Sequence, residues 1–166
     1  MNSEKVCMTD NEMELVFDAL SVNESLARMA VAAFVADKNP TLEEISDIKT
    51  AVSEAVTNAI IHGYENDGKS AKKMNNLQKV RLHCSFTGKL LVIEVEDKGV
   101  GIPDVEQAME PLFTTKPDKE RSGMGFSFME AFMDELSVIS EKGKGTIVKM
   151  SKTIGKGRES WTTQSL

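Results

Sequence analysis

A chain of 166 residues that is 40% hydrophobic and 28% charged has the make-up of one globular domain large enough to bury a core. Its net charge of −6 argues against the basic footprint of a bulk nucleic-acid binder, so no direct DNA contact is expected. No apolar run approaches the roughly 18 residues of a membrane span, the acidic N-terminus carries no secretory signal, and the protein is expected in the cytoplasm. Cys7 and Cys84 lie far apart without metal-like spacing and are expected to be free thiols in a reducing compartment.

In chain order, "MELVFDAL" at 13–20 alternates and predicts a first strand. The next segment takes helical spacing, with Val22, Leu26, Met29, Ala33 and Phe34 on the expected core side and Ser21 with Glu24 as a capping box. Thr41 and Glu44 repeat the capping pattern and open a second helix running to about His62, where Gly63 can supply a left-handed cap. The polar segment 65–78 reads as a loop. "KVRLHCSF" puts Val80, Leu82, Cys84 and Phe86 on one face of a half-buried strand, and "LLVIEVED" is a second, more buried strand. Glycine, proline and charge dominate 98–125, with a short helix at 104–110. "FSFMEAFMDEL" restores helical spacing, and "SVISEKGKGTIVKMSK" is a hairpin. Residues 1–152 form the expected single domain, with 153–166 a frayed tail. The order β-α-α-β-β-loop-α-β-β predicts an α/β fold: a two-layer sandwich with a mixed, mostly antiparallel sheet and helices on one face.

Two features carry chemistry. Glu54, Asn58 and His62 recur every four residues and share one stripe of the second helix, opposite Ile48, Val52, Ala55, Val56 and Ala59. An Asn oxygen aimed into a phosphate pocket can ligate Mg²⁺, and a Glu one turn earlier can orient or deprotonate an attacking hydroxyl. Three glycine-rich stretches come later in the chain: "DKGVGI" at 97–102, "RSGMGFS" at 121–127 and "KGKGT" at 142–146. Any one is an ordinary turn signal. The second opens a helix, where free N–H groups and the helix dipole favour phosphate, and Lys116, Lys119 and Arg121 precede it.

The series E-x-x-x-N, D-x-G-x-G, G-x-G and G-T resembles the ATPase superfamily of gyrase, mismatch-repair proteins and histidine kinases, over residues 13–150. "NESLARMAVAAFVA", "IKTAVSEAVTNAIIHGY", "DKGVGIPD" and "PLFTTKPDKERSGMGFSFME" more closely resemble the sporulation anti-sigma-F family, small bacterial anti-sigma factors that are also serine protein kinases. The resemblance implies a histidine-kinase-like ATPase fold with ATP and Mg²⁺ as cofactors. By resemblance Glu54 is the catalytic base, Asn58 the Mg²⁺ ligand, and Asp97 the acceptor for the adenine amino group, with Thr146 supporting it through water. Gly99, Gly101, Gly123 and Gly125 give the nucleotide backbone access, while Lys116, Arg121 and Ser122 reach its phosphates. Arg28 matches the position that meets both the sigma factor and the anti-anti-sigma protein phosphorylated on serine, and a homodimer is implied.

The expected function is therefore inhibition of a sporulation sigma factor coupled to ATP-dependent serine kinase activity on its antagonist. Two alternatives stand beside it: a stress-response kinase of the anti-sigma-B type, and a detached histidine-kinase-type catalytic domain. A full sensor kinase needs a helical hairpin with a phosphoacceptor His, and only a short segment precedes the first strand. Residues 112–122 lack an apolar period and are expected to form a segment ordered by nucleotide.

Overall fold

The structure is a computed structural model and describes residues 9–65, 72–73, 76–110 and 124–155. In chain order the elements are β1 (Asn11–Asp18), α1 (Val22–Val35), α2 (Leu42–Asn58), β2 (Lys72–Lys73), β3 (Asn76–Leu77), β4 (Lys79–Thr87), β5 (Leu90–Asp97), α3 (Val105–Met109), α4 (Gly125–Phe132), β6 (Glu135–Glu141) and β7 (Gly145–Thr153). Strands β1-β4-β5-β7-β6 form one sheet in that order, and β2 pairs with β3 in a separate small ribbon.

The strict alternation of β4 builds the middle of the sheet. Val80, Leu82, Cys84 and Phe86 are buried, and β5 answers with Leu91, Ile93 and Val95 on the same face. The opposite face carries charges: Arg81 meets Glu14 on β1 and Glu96 on β5, and Lys149 on β7 meets Glu94. The sheet thus has one face for a helical layer and one for solvent. All four pairings of this sheet are antiparallel. The parallel admixture expected from the sequence is not found among the described residues. β7 turns back from β6 and inserts beside β5, so β5 and β6 are never neighbours.

The helical layer is centred on α2. Thr41 accepts from the Glu44 N–H while the Glu44 carboxylate accepts from the Thr41 N–H, so the predicted capping box is present. Ile48, Ala51, Val52, Ala55 and Val56 are buried, as their period requires. The capping box predicted for α1 does not form. Ser21 already has helical backbone angles and its side chain makes no cap. Asn23 donates its side-chain amide to the Asp18 carbonyl, and Glu24 accepts instead from the Ser53 hydroxyl.

The predicted core stripe of α1 is also corrected. Val22, Leu26 and Met29 are exposed, and the buried line is Ala27, Val31 and Val35. Ala33 is exposed as well, while Phe34 is half-buried and stacks on Phe86 with ring centroids 5.4 Å apart. Both lines keep helical spacing, so the pattern alone does not choose between them; the packing of α1 on α2 does. Small Ala27 faces a layer that contains Ala51 and Ala55.

Element boundaries shift modestly. The first strand starts two residues earlier than expected and ends at Asp18, in line with its pairing to β4. α4 stops at Phe132 because residues from Glu135 join the sheet as β6. Residues 153–155, expected in the frayed tail, are built into the fold: β7 continues to Thr153, Ile154 is buried and donates to the Lys89 carbonyl, and the Gly155 N–H donates to Glu44. No helix among the described residues is long and apolar enough to cross a membrane.

Candidate functional site

The second helix does not end as its sequence suggests. The α-helical register stops at Asn58, and Ala59–Gly63 continue as one wider π turn. Such turns insert an extra residue and re-aim the chain beyond it. Gly63 is not the left-handed cap expected; Glu65 has the positive φ, at 50°. Gly63 serves close approach instead. A Cβ there would lie 2.6 Å from the Asp97 carboxyl carbon, and a Cβ on Gly99 would lie 1.7 Å from the Gly63 carbonyl oxygen. The sequence thus lets the end of α2 touch the end of β5 without a side chain between them.

Asp97 ends β5 and is only 4% exposed. Its carboxylate accepts from the Gly99 N–H at 2.9 Å and from the backbone N–H of Thr146. Burial dominates over these donors and pushes its pKa up to about 6. Tyr64 pins the adjoining loop. Its hydroxyl donates to the Lys79 carbonyl and accepts from the Lys98 N–H at 2.9 Å. Val100 then bridges two elements: its N–H donates to the Gly63 carbonyl, and its carbonyl accepts from the Gly143 N–H, both at 2.7 Å. Gly101 completes the turn with φ of 70°, and a Cβ there would lie 2.1 Å from the Glu141 carbonyl oxygen.

A cavity of about 530 Å³ opens between α2, the β5–α3 loop, α4 and β7, within the range of about 300–1,000 Å³ that small-molecule sites occupy. Asn58, His62, Asp97, Gly101, Gly125 and Thr146 all line it. Its apolar wall comes from Val95, Val100, Ile102, Pro103, Phe126 and Val148. The two ends differ chemically. One holds the Asp97 carboxylate beside Thr146. The other brings Asn58 to the N-terminal end of α4, where no side chain caps the helix. Glu54 is drawn to that second end as well. A Cβ on Gly125 would lie 3.1 Å from the Glu54 carboxylate and 3.3 Å from the Asn58 amide nitrogen.

These groups fit a nucleotide and a hard cation. A buried carboxylate with an apolar wall accepts from an exocyclic amine, the Asn58 amide oxygen is a hard ligand, and a helix N-terminus stabilises phosphate. Gly99 contributes by packing on Gly63 and does not itself line the cavity. Lys116, Arg121, Ser122 and Gly123, with the 112–122 segment expected to order on nucleotide, lie outside the described residues. Arg28 sits away from the cavity. It donates to the Ser25 hydroxyl at 3.1 Å, pairs with Glu24 at 3.7 Å, and is partly exposed on α1.

Sequence reasoning missed Tyr64 and Ser140. Tyr64 is the only tyrosine of the chain and directly follows the glycine that meets Asp97. Ser140 breaks the inward series Leu136, Val138 on β6 with a hydroxyl, a polar residue where the alternation calls for an apolar one.

Residues 17–152 match the model of the histidine kinase-like ATPase domain. The chain is 56% identical over 145 residues to the anti-sigma F factor of Clostridium acetobutylicum, covering 87% of this chain and 95% of that protein. It is 50% identical over 148 residues to the anti-sigma F factor of Bacillus licheniformis, covering 89% and 96%. Among solved structures, it matches the RsbU and RsbW domains of Rv1364c from Mycobacterium tuberculosis with TM-score 0.60 at 19% identity, over 87% of this chain and 32% of that one. The catalytic domain of the histidine kinase ThkA matches with TM-score 0.50 at 14% identity, over 86% and 96%. These two likenesses concern the fold.

Proposed function

The chain belongs to the histidine kinase-like ATPase domain family, alongside the anti-sigma F factors, and we propose that it binds and inhibits a sporulation sigma factor of the F type while phosphorylating a serine of that factor's antagonist. The observation that carries the proposal is the convergence of Glu54, Asn58 and the α4 N-terminus at one end of a cavity whose other end is the buried Asp97. High identity to anti-sigma F factors over nearly their whole length supports the partner.

Bound Mg²⁺-ATP supplies the phosphoryl group. The chain's own residues bind and orient. Asp97 accepts from the amino group of the base, which selects adenine over a 6-oxo purine. Asn58 offers its amide oxygen to the cation, and the first turn of α4 directs N–H groups at the phosphates. Glu54 accepts the proton of the attacking serine hydroxyl. Arg28 and the exposed Leu26 and Met29 form the α1 face on which both protein partners compete. Val22 on α1 and Val16 on the edge strand β1 are exposed too and supply apolar surface for a homodimer. The protein is proposed to work in the cytoplasm.

The test is incubation of the purified chain with γ-labelled ATP and its antagonist protein. Label that survives acid is expected, as for phosphoserine. Acid-labile label would point to histidine transfer, and none at all would leave a binding protein without turnover. Glu54→Gln is expected to keep sigma-factor and ATP binding while transfer falls about 10²–10⁴-fold.

A further inference from the structure

Thr146 and Asp97 share the base-recognition end of the cavity, and the proton of the Thr146 hydroxyl decides what that end offers a ligand. Its position can be counted out. The Ser140 hydroxyl has three neighbours: the Ile102 N–H at 2.7 Å, the Gly145 carbonyl at 3.0 Å and the Thr146 hydroxyl at 2.9 Å. A hydroxyl has one proton to give and two lone pairs to receive with. The Ile102 N–H can only donate and the Gly145 carbonyl can only accept. The one assignment that uses all three contacts has Ser140 giving its proton to Gly145 and Thr146 giving its own to Ser140. The arrangement satisfies all four groups.

We propose that Ser140 is a positioning residue for base selection: by taking the proton of Thr146, it leaves the two side chains of that end, the Thr146 hydroxyl oxygen and the Asp97 carboxylate, both as acceptors. These side chains take the N–H of a 6-amino group, directly or through a water that donates to them, and disfavour a 6-oxo group, whose oxygen would face lone pairs. Ser140 does a second thing through Ile102. It ties the apolar wall at Ile102 and Pro103 to the β6–β7 hairpin, so wall and hydroxyl are set by one atom. Ser140 lies on β6, outside every glycine-rich stretch of the sequence, and acts through Thr146 without lining the cavity. The assignment rests on the ATP reading above and deepens it.

The experiment is competition binding of ATP and inosine triphosphate to the purified full chain, wild type and variants, by displacement of a fluorescent nucleotide. In Ser140→Ala the Thr146 proton is free to turn toward the base, so the ATP-to-inosine-triphosphate affinity ratio is expected to fall about tenfold. ATP affinity itself is expected to drop about threefold to tenfold. Ser140→Thr keeps the hydroxyl and is expected to retain the wild-type ratio. Thr146→Val removes the acceptor and is expected to lose the same selectivity, and adding Ser140→Ala to it is expected to change the ratio no further. Equal weakening of both nucleotides in Ser140→Ala, with the ratio intact, overturns the proposal and leaves the ATP reading standing. So does full selectivity in Thr146→Val, which serves should Ser140→Ala fail to fold. A wild-type chain that binds neither nucleotide overturns the ATP reading, and this assignment with it.

Discussion

Replacing Asp97 with Asn is expected to make the nucleotide-free protein more stable at neutral pH while removing its grip on ATP. The carboxyl is 4% exposed, and burial raises its pKa from 3.8 to about 6 despite two backbone donors. A raised folded-state pKa means that the protonated form suits the fold. The associated stability is fully present below pH about 3.8 and is lost as pH rises through about 6. The rise of roughly two pKa units corresponds to about 3 kcal/mol lost by pH 7, at 1.36 kcal/mol per unit, and to about half of that at pH 5. Asn resembles the protonated carboxyl at every pH and keeps an oxygen for the Gly99 N–H. Urea denaturation of wild type and Asp97→Asn between pH 4 and 8, without nucleotide, should therefore give curves that approach each other near pH 4, separate progressively from pH 4 to about 6 and run parallel above that, the variant being the more stable. ATP is expected to raise the midpoint of the wild type and leave that of the variant unchanged. Profiles that stay parallel over the whole pH range, or a variant less stable than wild type at pH 8, would refute the reasoning.

Asn58→Ala is expected to abolish Mg²⁺-dependent ATP binding with the fold intact, because it removes a hard oxygen from the cavity while adding a better helix former; isothermal titration calorimetry with and without the cation checks it. Gly101→Ala forces a side chain into a backbone with φ of 70° and against the Glu141 carbonyl, and is expected to cost about 1–3 kcal/mol, read as a lower urea midpoint. Arg28→Glu is expected to weaken binding of both protein partners while ATP affinity stays at the wild-type value, since the residue lies outside the cavity; surface plasmon resonance with each partner decides it.

Much of this architecture was legible because its signals are periodic. The alternation of Val80, Leu82, Cys84 and Phe86 could serve only a half-buried strand, and Thr41 with Glu44 marked the start of α2. Glu54 and Asn58 were legible as one stripe of α2, and the structure sets that stripe against Gly125 at the start of α4. The failures share a cause. Val22, Leu26 and Met29 keep a helical period that Ala27, Val31 and Val35 keep equally well, and which line is buried depends on where α2 lies, a relation absent from a one-dimensional pattern. Gly63 sits where a left-handed cap belongs, and only the approach of Asp97 from a distant strand shows its use. Ser140 and Tyr64 act through partners 5 to 38 residues away. Such bonds leave no local trace beyond a polar residue out of place.

Cys84 gives the fold an internal clock. It is fully buried in the middle of β4, and burial pushes its thiol up to about 12, so a thiolate scarcely exists while the core is closed. A thiol reagent must wait for the sheet to open, and the rate of alkylation at this sulfur reports how often that happens. With Cys7 replaced by Ser, the reaction would count openings of the core and nothing else. Whatever binds the closed form slows the clock by the factor 1 + [L]/Kd, so one buried atom converts ligand affinity into a time.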